Sequence, residues 1–512
     1  MKVRTRFAPS PTGPLHMGNA RTALFSYLFA KKEKGDFIIR VEDTDKERSS
    51  SEWEQDVLEN LEWLGLNLDE GPTKTKDRGS FGPYRQSQRT GIYKEYLEKL
   101  LEEKKAYWCF CTQEELEAQR QDQASRGETP RYSGRCRTLS FKEKGKAIIR
   151  FVVEPKKIVF KDLIRGEVSF DMALSGDIVI AKDLETPLYN FTVVVDDELM
   201  HITHIIRGED HISNTPKQLL LQKALGFTQT IQYAHLPLLL GEDRTKLSKR
   251  HGDNSVTRFK KEGYLPEAIV NFLALLGWNP GDEREIFALQ GLLKEFSLNR
   301  VQKGNAVFNL QRLDWINGYY LRNMDKMILA KMAIPYLKET GLLEQNGNGE
   351  QKKFFLRMQK SHPYTVTETG EGIGLEFLGE VVALYQERLK KLSEIAELAD
   401  FFFKKELSYQ KEFLRWKQME DTEIAESLKK SGELLSHIKE EEWNKEMIEQ
   451  VLLKEAEAMG LPAQAGDKGK LLWPLRVALT GKKASAGPFE VAAVLGKEKT
   501  LLRIEQAMTK LQ

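Results

Sequence analysis

The first half of this 512-residue chain predicts an α/β fold of the doubly wound kind, and the second half predicts a helical array. Apolar runs at residues 3–7, 37–41, 202–206 and 236–240 read as short buried strands. The first three lead into stretches with helical apolar spacing, the alternation that builds parallel sheets. From about residue 320 strand-like runs become scarce and charged helical patterns take over.

In residues 3–7 the apolar positions alternate with Arg4 and Arg6, and Ala20, Ala23, Leu24, Tyr27 and Leu28 then give the stripe of a buried helix. Between them lies Phe7-Ala8-Pro9-Ser10-Pro11-Thr12-Gly13-Pro14-Leu15-His16-Met17-Gly18-Asn19. Its prolines and Gly13 exclude regular structure, and Asn19 is the expected N-cap. Free N–H groups and the positive helix end there suit a phosphate or carboxylate. A proline-rich connection with a surface histidine is the plainer alternative.

Residues 37–41 run into Glu42-Asp43-Thr44-Asp45, acidic groups at a strand's carboxyl end, where open α/β sheets bind ligands. Ser51 and Glu54 predict a capping box opening a helix that stops at Gly65. Residues 88–106 predict another amphipathic helix. Cys109, Cys111 and Cys136, all the cysteines of the chain, follow in one segment. Thiolates in this pattern suit zinc, with Tyr132 or a water completing the tetrahedron, while three buried free thiols is the alternative. Residues 148–181 predict an insertion of short strands, the main fold resuming at Pro187. Thr215-Pro216-Lys217-Gln218 predicts a capped helix start, ending at Gly226. Residues 236–240 lead into Gly241-Glu242-Asp243-Arg244-Thr245-Lys246-Leu247-Ser248-Lys249-Arg250-His251-Gly252, a basic, glycine-flanked loop.

Composition bounds the function. Apolar residues make up 40% and charged residues 30%, with a formal net charge of +2, so a nucleic-acid partner would be met by local patches and not by a global field. Three cysteines give no disulfide framework. No apolar run is long enough to span a membrane, and the N-terminus breaks at Pro9, Pro11 and Gly13 before a signal-peptide core forms, so a cytoplasmic protein is expected. No Walker A sequence occurs.

The two loops carry a resemblance. Class I aminoacyl-tRNA synthetases have a His-Ile-Gly-His signature, here His16-Met17-Gly18-Asn19, and a Lys-Met-Ser-Lys-Ser signature, here Lys246-Leu247-Ser248-Lys249-Arg250. Together with Val41-Glu42-Asp43-Thr44-Asp45, Arg207-Gly208-Glu209-Asp210-His211-Ile212-Ser213-Asn214-Thr215-Pro216 and Trp473-Pro474-Leu475-Arg476, the chain resembles the bacterial-type glutamyl-tRNA synthetases over essentially its whole length. Asn19 in place of the second histidine is usual in that subfamily.

The resemblance implies a split Rossmann-like catalytic domain (1–85 and 186–241) and an inserted α+β acceptor-binding domain carrying the cysteines (86–185). All-α stem-contact (242–319) and anticodon-binding domains (320–381 and 382–512) would follow. It implies ATP-dependent activation of L-glutamate and transfer to tRNA-Glu, with Mg²⁺ accompanying ATP, in a protein that is usually a monomer. His16, Lys246 and Lys249 would be catalytic. ATP would be held by Pro9, Ser10, Pro11, Thr12, Gly13, His16, Gly18, Asn19, Glu209, Lys246, Leu247, Ser248, Lys249 and Arg250. Glutamate would be held by Arg6, Ala8, Ser10, Glu42, Tyr189 and Arg207, because a buried guanidinium accepts a carboxylate and is left underpaired by an amide. Alternatives are an enzyme that also glutamylates tRNA-Gln and, from another class, a nucleotidylyltransferase sharing the first loop.

Overall fold

The computed structural model describes residues 2–45, 47–138, 147–247, 252–345, 363–458 and 468–512. They form two compact units, Met1–Ile316 and Asn317–Gln512.

In the first unit, β1 (Arg4–Phe7), α1 (Met17–Lys32), β2 (Asp36–Ile39) and α2 (Ser51–Trp63) open the doubly wound pattern. The insertion follows as α3 (Thr90–Glu102), β3 (Ala106–Cys109), α4 (Gln113–Ser125), β4 (Ile148–Phe151), β5 (Lys157–Asp162), β6 (Gly166–Asp171) and β7 (Ile178–Ala181). Then come α5 (Tyr189–Leu199), β8 (His204–Gly208), α6 (Thr215–Leu225), β9 (Gln232–Leu236) and β10 (Leu239–Leu240). Helices α7 (Val256–Glu262), α8 (Pro266–Leu275) and α9 (Leu289–Glu295) and strand β11 (Ala306–Val307) follow, and helix α10 (Leu310–Arg322) runs across the division at residue 316.

The main sheet has the order β2-β1-β8-β9-β5-β6, parallel except for the β5–β6 hairpin. That hairpin, read from sequence as part of the insertion, is instead an extension of the central sheet. Its pairing, Asp162 opposite Tyr233, joins residues distant in the chain, which local periodicity does not reveal. Of the insertion's strands, β3, β4 and β7 form a separate antiparallel sheet. Tyr93, Leu97, Ile149, Phe151, Phe191 and Leu221 are buried in one core shared by α3, the small sheet, α5 and α6. Each such side chain contributes about 1.5–3 kcal/mol by leaving water. Helix α1 is buried on nearly all sides, Phe25 meeting Phe296 edge-on, so its stripe is wider than that of a surface helix.

Several expected boundaries move. The run 236–240 is two strands broken at Pro237, since a proline cannot donate to the ladder. The α2 cap is Ser50, whose hydroxyl accepts from Trp53 N, and not Ser51. Helix α3 ends at Glu102, short of residue 106. Asn214, not Thr215, precedes α6, without a side-chain cap, and Gln218 bonds Asn190. Gly226 ends α6 in the left-handed region as expected.

The second unit holds α11 (Lys326–Glu339), the small antiparallel sheet of β12 (Leu343–Gln345), β13 (Tyr364–Val366) and β14 (Gly372–Ile373), and α12 (Leu375–Ala383). Helices α13 (Glu394–Ala399), α14 (Asp421–Ser436), α15 (Lys445–Ala458), α16 (Gly469–Thr480), α17 (Pro488–Leu495) and α18 (Lys497–Thr509) follow. The three strands depart from the all-helical expectation. Residues 384–403 are turns, α13 and a 3-10 turn that buries Phe401, Phe402 and Phe403. The boundaries expected at 319–320 and 381–382 fall inside α10 and α12. Among the described residues no helix is long and apolar enough to cross a membrane.

Candidate active site

The carboxyl ends of β1, β2, β8 and β9 all open on one end of the sheet, where doubly wound folds bind ligands. The loop after β1 is fixed from both sides. Glu42 N donates to Pro9 O at 2.9 Å and Ser50 N to Pro11 O at 3.1 Å. The Asp56 carboxylate accepts from Leu15 N at 2.8 Å.

His16, not Asn19, caps α1. Its Nδ1 accepts from Asn19 N at 3.2 Å, which leaves the proton of a neutral imidazole on Nε2. Gly18 makes room for this, since a Cβ there would lie 3.2 Å from the ring atoms Cε1 and Nδ1. Desolvation lowers the His16 pKa from its ordinary value; Asp210 opposes and Lys246 adds to the shift.

Both ends of the second loop are anchored beside the first. On one side Leu247 N donates to Leu239 O at 2.8 Å, and Lys246 Nζ reaches Asp210 at 3.4 Å. On the other, Met17 N donates to Asn254 O at 3.0 Å and Val256 N to Leu15 O at 2.8 Å. Asp56 spans the two segments, accepting from Thr257 Oγ1 at 2.6 Å. The intervening Ser248, Lys249, Arg250 and His251 lie outside the described residues. His16, Asp210 and Lys246 therefore share one neighbourhood. Glu209 accepts from Leu238 N at 3.1 Å and pairs with Arg165.

Beneath this lies a buried charged cluster. Arg6 meets Asp197 at 3.3 Å, and Arg40 meets Asp197 at 2.7 Å and Glu42 at 3.0 Å. Burial raises the Glu42 pKa while Arg40 and Arg6 pull it back. Arg207 is differently placed: its Nε donates to His235 Nε2 at 3.2 Å, Nη2 to Thr215 Oγ1 at 2.8 Å and Nη1 to Tyr189 OH at 3.4 Å. All three partners are neutral, and among the described residues no carboxylate stands within ion-pair distance of this buried guanidinium. Arg6, Glu42 and Arg207 all act on the Tyr189 hydroxyl, so four of the six residues expected to hold an amino acid are brought together. Ala8 is half-buried and Ser10 exposed on the loop above them.

The three cysteines converge. Their Sγ atoms lie within 4.8 Å of one another, and the Tyr132 hydroxyl stands 3.4 Å from Cys109 and 3.5 Å from Cys111. Thiolates on one tetrahedral zinc would sit about 3.8 Å apart, given Zn–S bonds of about 2.3 Å, so the donors fit that ion with little movement. Arg150 donates to Cys109 Sγ at 3.3 Å and stacks over the Tyr132 ring.

Residues that sequence reasoning missed are Asp56, Asp210, His211, Thr215, Asp162 and His235. His211 faces the Tyr189 hydroxyl at 3.2 Å, and burial together with Arg207 pushes its pKa down to about 4. Asp210, His211 and Thr215 sit in the 207–216 stretch that carries the resemblance, the one signal that could have singled them out.

The model of the class I tRNA synthetase (E and Q) catalytic domain matches residues 2–315, and that of an anticodon binding domain matches residues 329–508. A glutamate–tRNA ligase of Carboxydothermus hydrogenoformans is 45% identical, the alignment covering 98% of this chain and 99% of the relative. Glutamate–tRNA ligase 1 of Caldicellulosiruptor saccharolyticus is 44% identical over 99% of both. The crystal structure of a glutamate tRNA ligase from Elizabethkingia meningosepticum in complex with its amino acid matches with a TM-score of 0.82, at 34% identity and 100% coverage of both chains. On the sheet, the paired loops and these matches, the chain belongs to the class I tRNA synthetases of the glutamate and glutamine (E and Q) type.

Proposed function

We infer that this chain is a glutamate–tRNA ligase: the α-carboxylate of L-glutamate attacks the α-phosphate of ATP, pyrophosphate leaves, and the glutamyl group passes from the adenylate to the 3′ end of tRNA-Glu. The observation that carries the choice of glutamate is Arg207, a buried guanidinium held by three neutral groups, whose charge calls for an anionic side chain. Glutamine would present an amide there and leave that charge unmatched. In this reading Tyr189 joins Arg207 on the side-chain carboxylate, Arg6 and Ser10 help hold the substrate, Glu42 takes the α-ammonium, and Ala8 lines the pocket. The anticodon-domain match at 329–508 favours a ligase over the nucleotidylyltransferase alternative, which needs no such region.

For ATP, which enters with Mg²⁺, the Nε2–H of His16 and the ammonium groups of Lys246 and Lys249 are the donors to the phosphates. Pro9 to Gly13, Gly18, Asn19, Glu209, Leu247, Ser248 and Arg250 shape the nucleotide site. Such chemistry needs orientation and charge stabilisation more than covalent participation. Cys109, Cys111, Cys136 and Tyr132 are the ligands for a structural Zn²⁺ that would tie α4 and the small sheet together. Elemental analysis should find about one equivalent in the wild type and less than a tenth in Cys136→Ser, since three thiolates anchor the ion.

We assign residues 1–85 and 186–241 with the 157–171 hairpin to the catalytic domain, the rest of 86–185 to acceptor binding, 242–319 to stem contact and 320–512 to anticodon binding. Charging of separated tRNA-Glu and tRNA-Gln with labelled glutamate tests the function. Transfer to tRNA-Glu is expected, and transfer to both would mark the broader enzyme. No transfer to either would refute the reading.

A further inference from the structure

Three adjacent strands of the main sheet each place one residue in a buried chain of hydrogen bonds. Arg207 on β8 stands in register opposite His235 on β9, and Asp162 ends β5, the next strand across. His235 is fully buried and Asp162 is 1% exposed. The imidazole Nδ1 lies 2.6 Å from the Asp162 carboxylate, which also accepts from Ile164 N at 2.9 Å, Arg165 N at 2.8 Å and His235 N at 3.1 Å. A carboxylate can only accept, so Nδ1 carries the proton and Nε2 is left as the acceptor that Arg207 Nε requires, with Thr215 Oγ1 at 3.1 Å. The other tautomer would set two donors against each other at Nε2.

We propose that Asp162 and His235 are positioning residues for substrate selection: Asp162 fixes the tautomer of His235, and His235 orients the Arg207 guanidinium toward the substrate's side-chain carboxylate without cancelling its charge. The imidazole acts as a neutral spacer. A carboxylate bonded directly to Arg207 would orient it too, but would neutralise the charge that distinguishes glutamate from glutamine. Thr215 completes the grip, accepting from Nη2 while its hydroxyl faces Nε2.

The proposal rests on the glutamate reading of Arg207, and its test separates the two. Asp162→Asn is nearly isosteric and keeps an oxygen for the Ile164 and Arg165 amides, but it turns an NH₂ toward Nδ1 and so inverts the tautomer. In tRNA-dependent pyrophosphate exchange it should raise KM for glutamate about 10–100-fold, the usual worth of an outer partner, with KM for ATP within about twofold and preference over glutamine reduced. His235→Gln can accept from Arg207 and donate to Asp162 through one amide, so it should stay within a few-fold of wild type, whereas His235→Leu should match Asp162→Asn. Nitrogen-15 NMR of the histidine-labelled full chain, with His235 assigned by its loss in His235→Gln, should show Nδ1–H in the wild type. The proposal is overturned by an Nε2–H signal for His235, by a wild-type glutamate KM in Asp162→Asn or His235→Leu, or by losses spread equally over both substrates. If Asp162→Asn does not fold, the His235 pair and the wild-type spectrum decide. A wild type with no glutamate-dependent exchange would instead remove the ligase reading, while the spectrum still tests the tautomer.

Discussion

Arg207 shows how a single charge can define a site. Its neutral partners orient it while leaving its charge for a ligand. Arg207→Lys keeps the charge but loses the planar fork, so kcat/KM for glutamate should fall by about a hundredfold or more, measured by pyrophosphate exchange at varied glutamate; an unchanged value would contradict this assignment. Histidine titration predicts a second effect. His16, His204, His211 and His235 all have pKa values lowered by burial, that of His211 to about 4. Unfolded, each would titrate near 6.5, so between the two values the unfolded chain binds protons that the folded chain refuses. Stability should therefore fall as pH drops from about 6.5 towards 4, seen as a lower urea midpoint at pH 5 than at pH 7.5; a higher midpoint at pH 5 would contradict it. Arg6, Glu42 and Arg207 were named from the resemblance, and all three stand on or beside strands that the apolar runs had marked. Asp162 and His235 were not, because the contact joining them depends on a long-range strand pairing.

At the scale of elements, the two loops meet because backbone bonds clamp residues 15–17 to residues 254–256 while β10 holds Lys246. Asp56 reinforces the clamp, and nothing in the spacing of α2 marks it as different from any exposed acid. The N-cap of α1 was misplaced by sequence reasoning for a related reason: asparagine is the commoner cap, but the His16 ring folds back onto the Asn19 amide over Gly18. Gly18→Ala should separate activity from stability. Alanine favours the helix by about 0.5–1 kcal/mol, yet its Cβ forces the ring to shift. Exchange should drop about tenfold while the melting temperature holds or rises, because a displaced donor loses transition-state contact. Equal loss of both would mean that His16 serves the fold alone. The cysteine cluster was legible as a group, since all three lie in one segment, and Tyr132, expected beside them from its place four residues before Cys136, stands against two of the thiols.

For the whole molecule, each unit buries its own aromatic and aliphatic core, Phe25, Phe191 and Trp278 in the first and Phe401, Tyr385 and Leu475 in the second. Calorimetry should resolve two transitions, since units of this size commonly unfold separately, and a zinc chelator should lower only the one belonging to Met1–Ile316. A single transition, or a chelator effect on both, would contradict that division. The alternation of strand and helix made the catalytic half readable as a class, whereas the hairpin at its sheet edge and the small sheet of the second unit rest on pairings with no local signature. The central claim is that paired phosphate-binding loops activate an acidic amino acid chosen by a buried, uncompensated guanidinium. Its most direct test is pyrophosphate exchange by the full chain with tRNA-Glu present, glutamate against glutamine. Exchange should require glutamate and be at least about a hundredfold weaker with glutamine, the discrimination expected when a buried charge is left unmatched; equal or greater exchange with glutamine would contradict it.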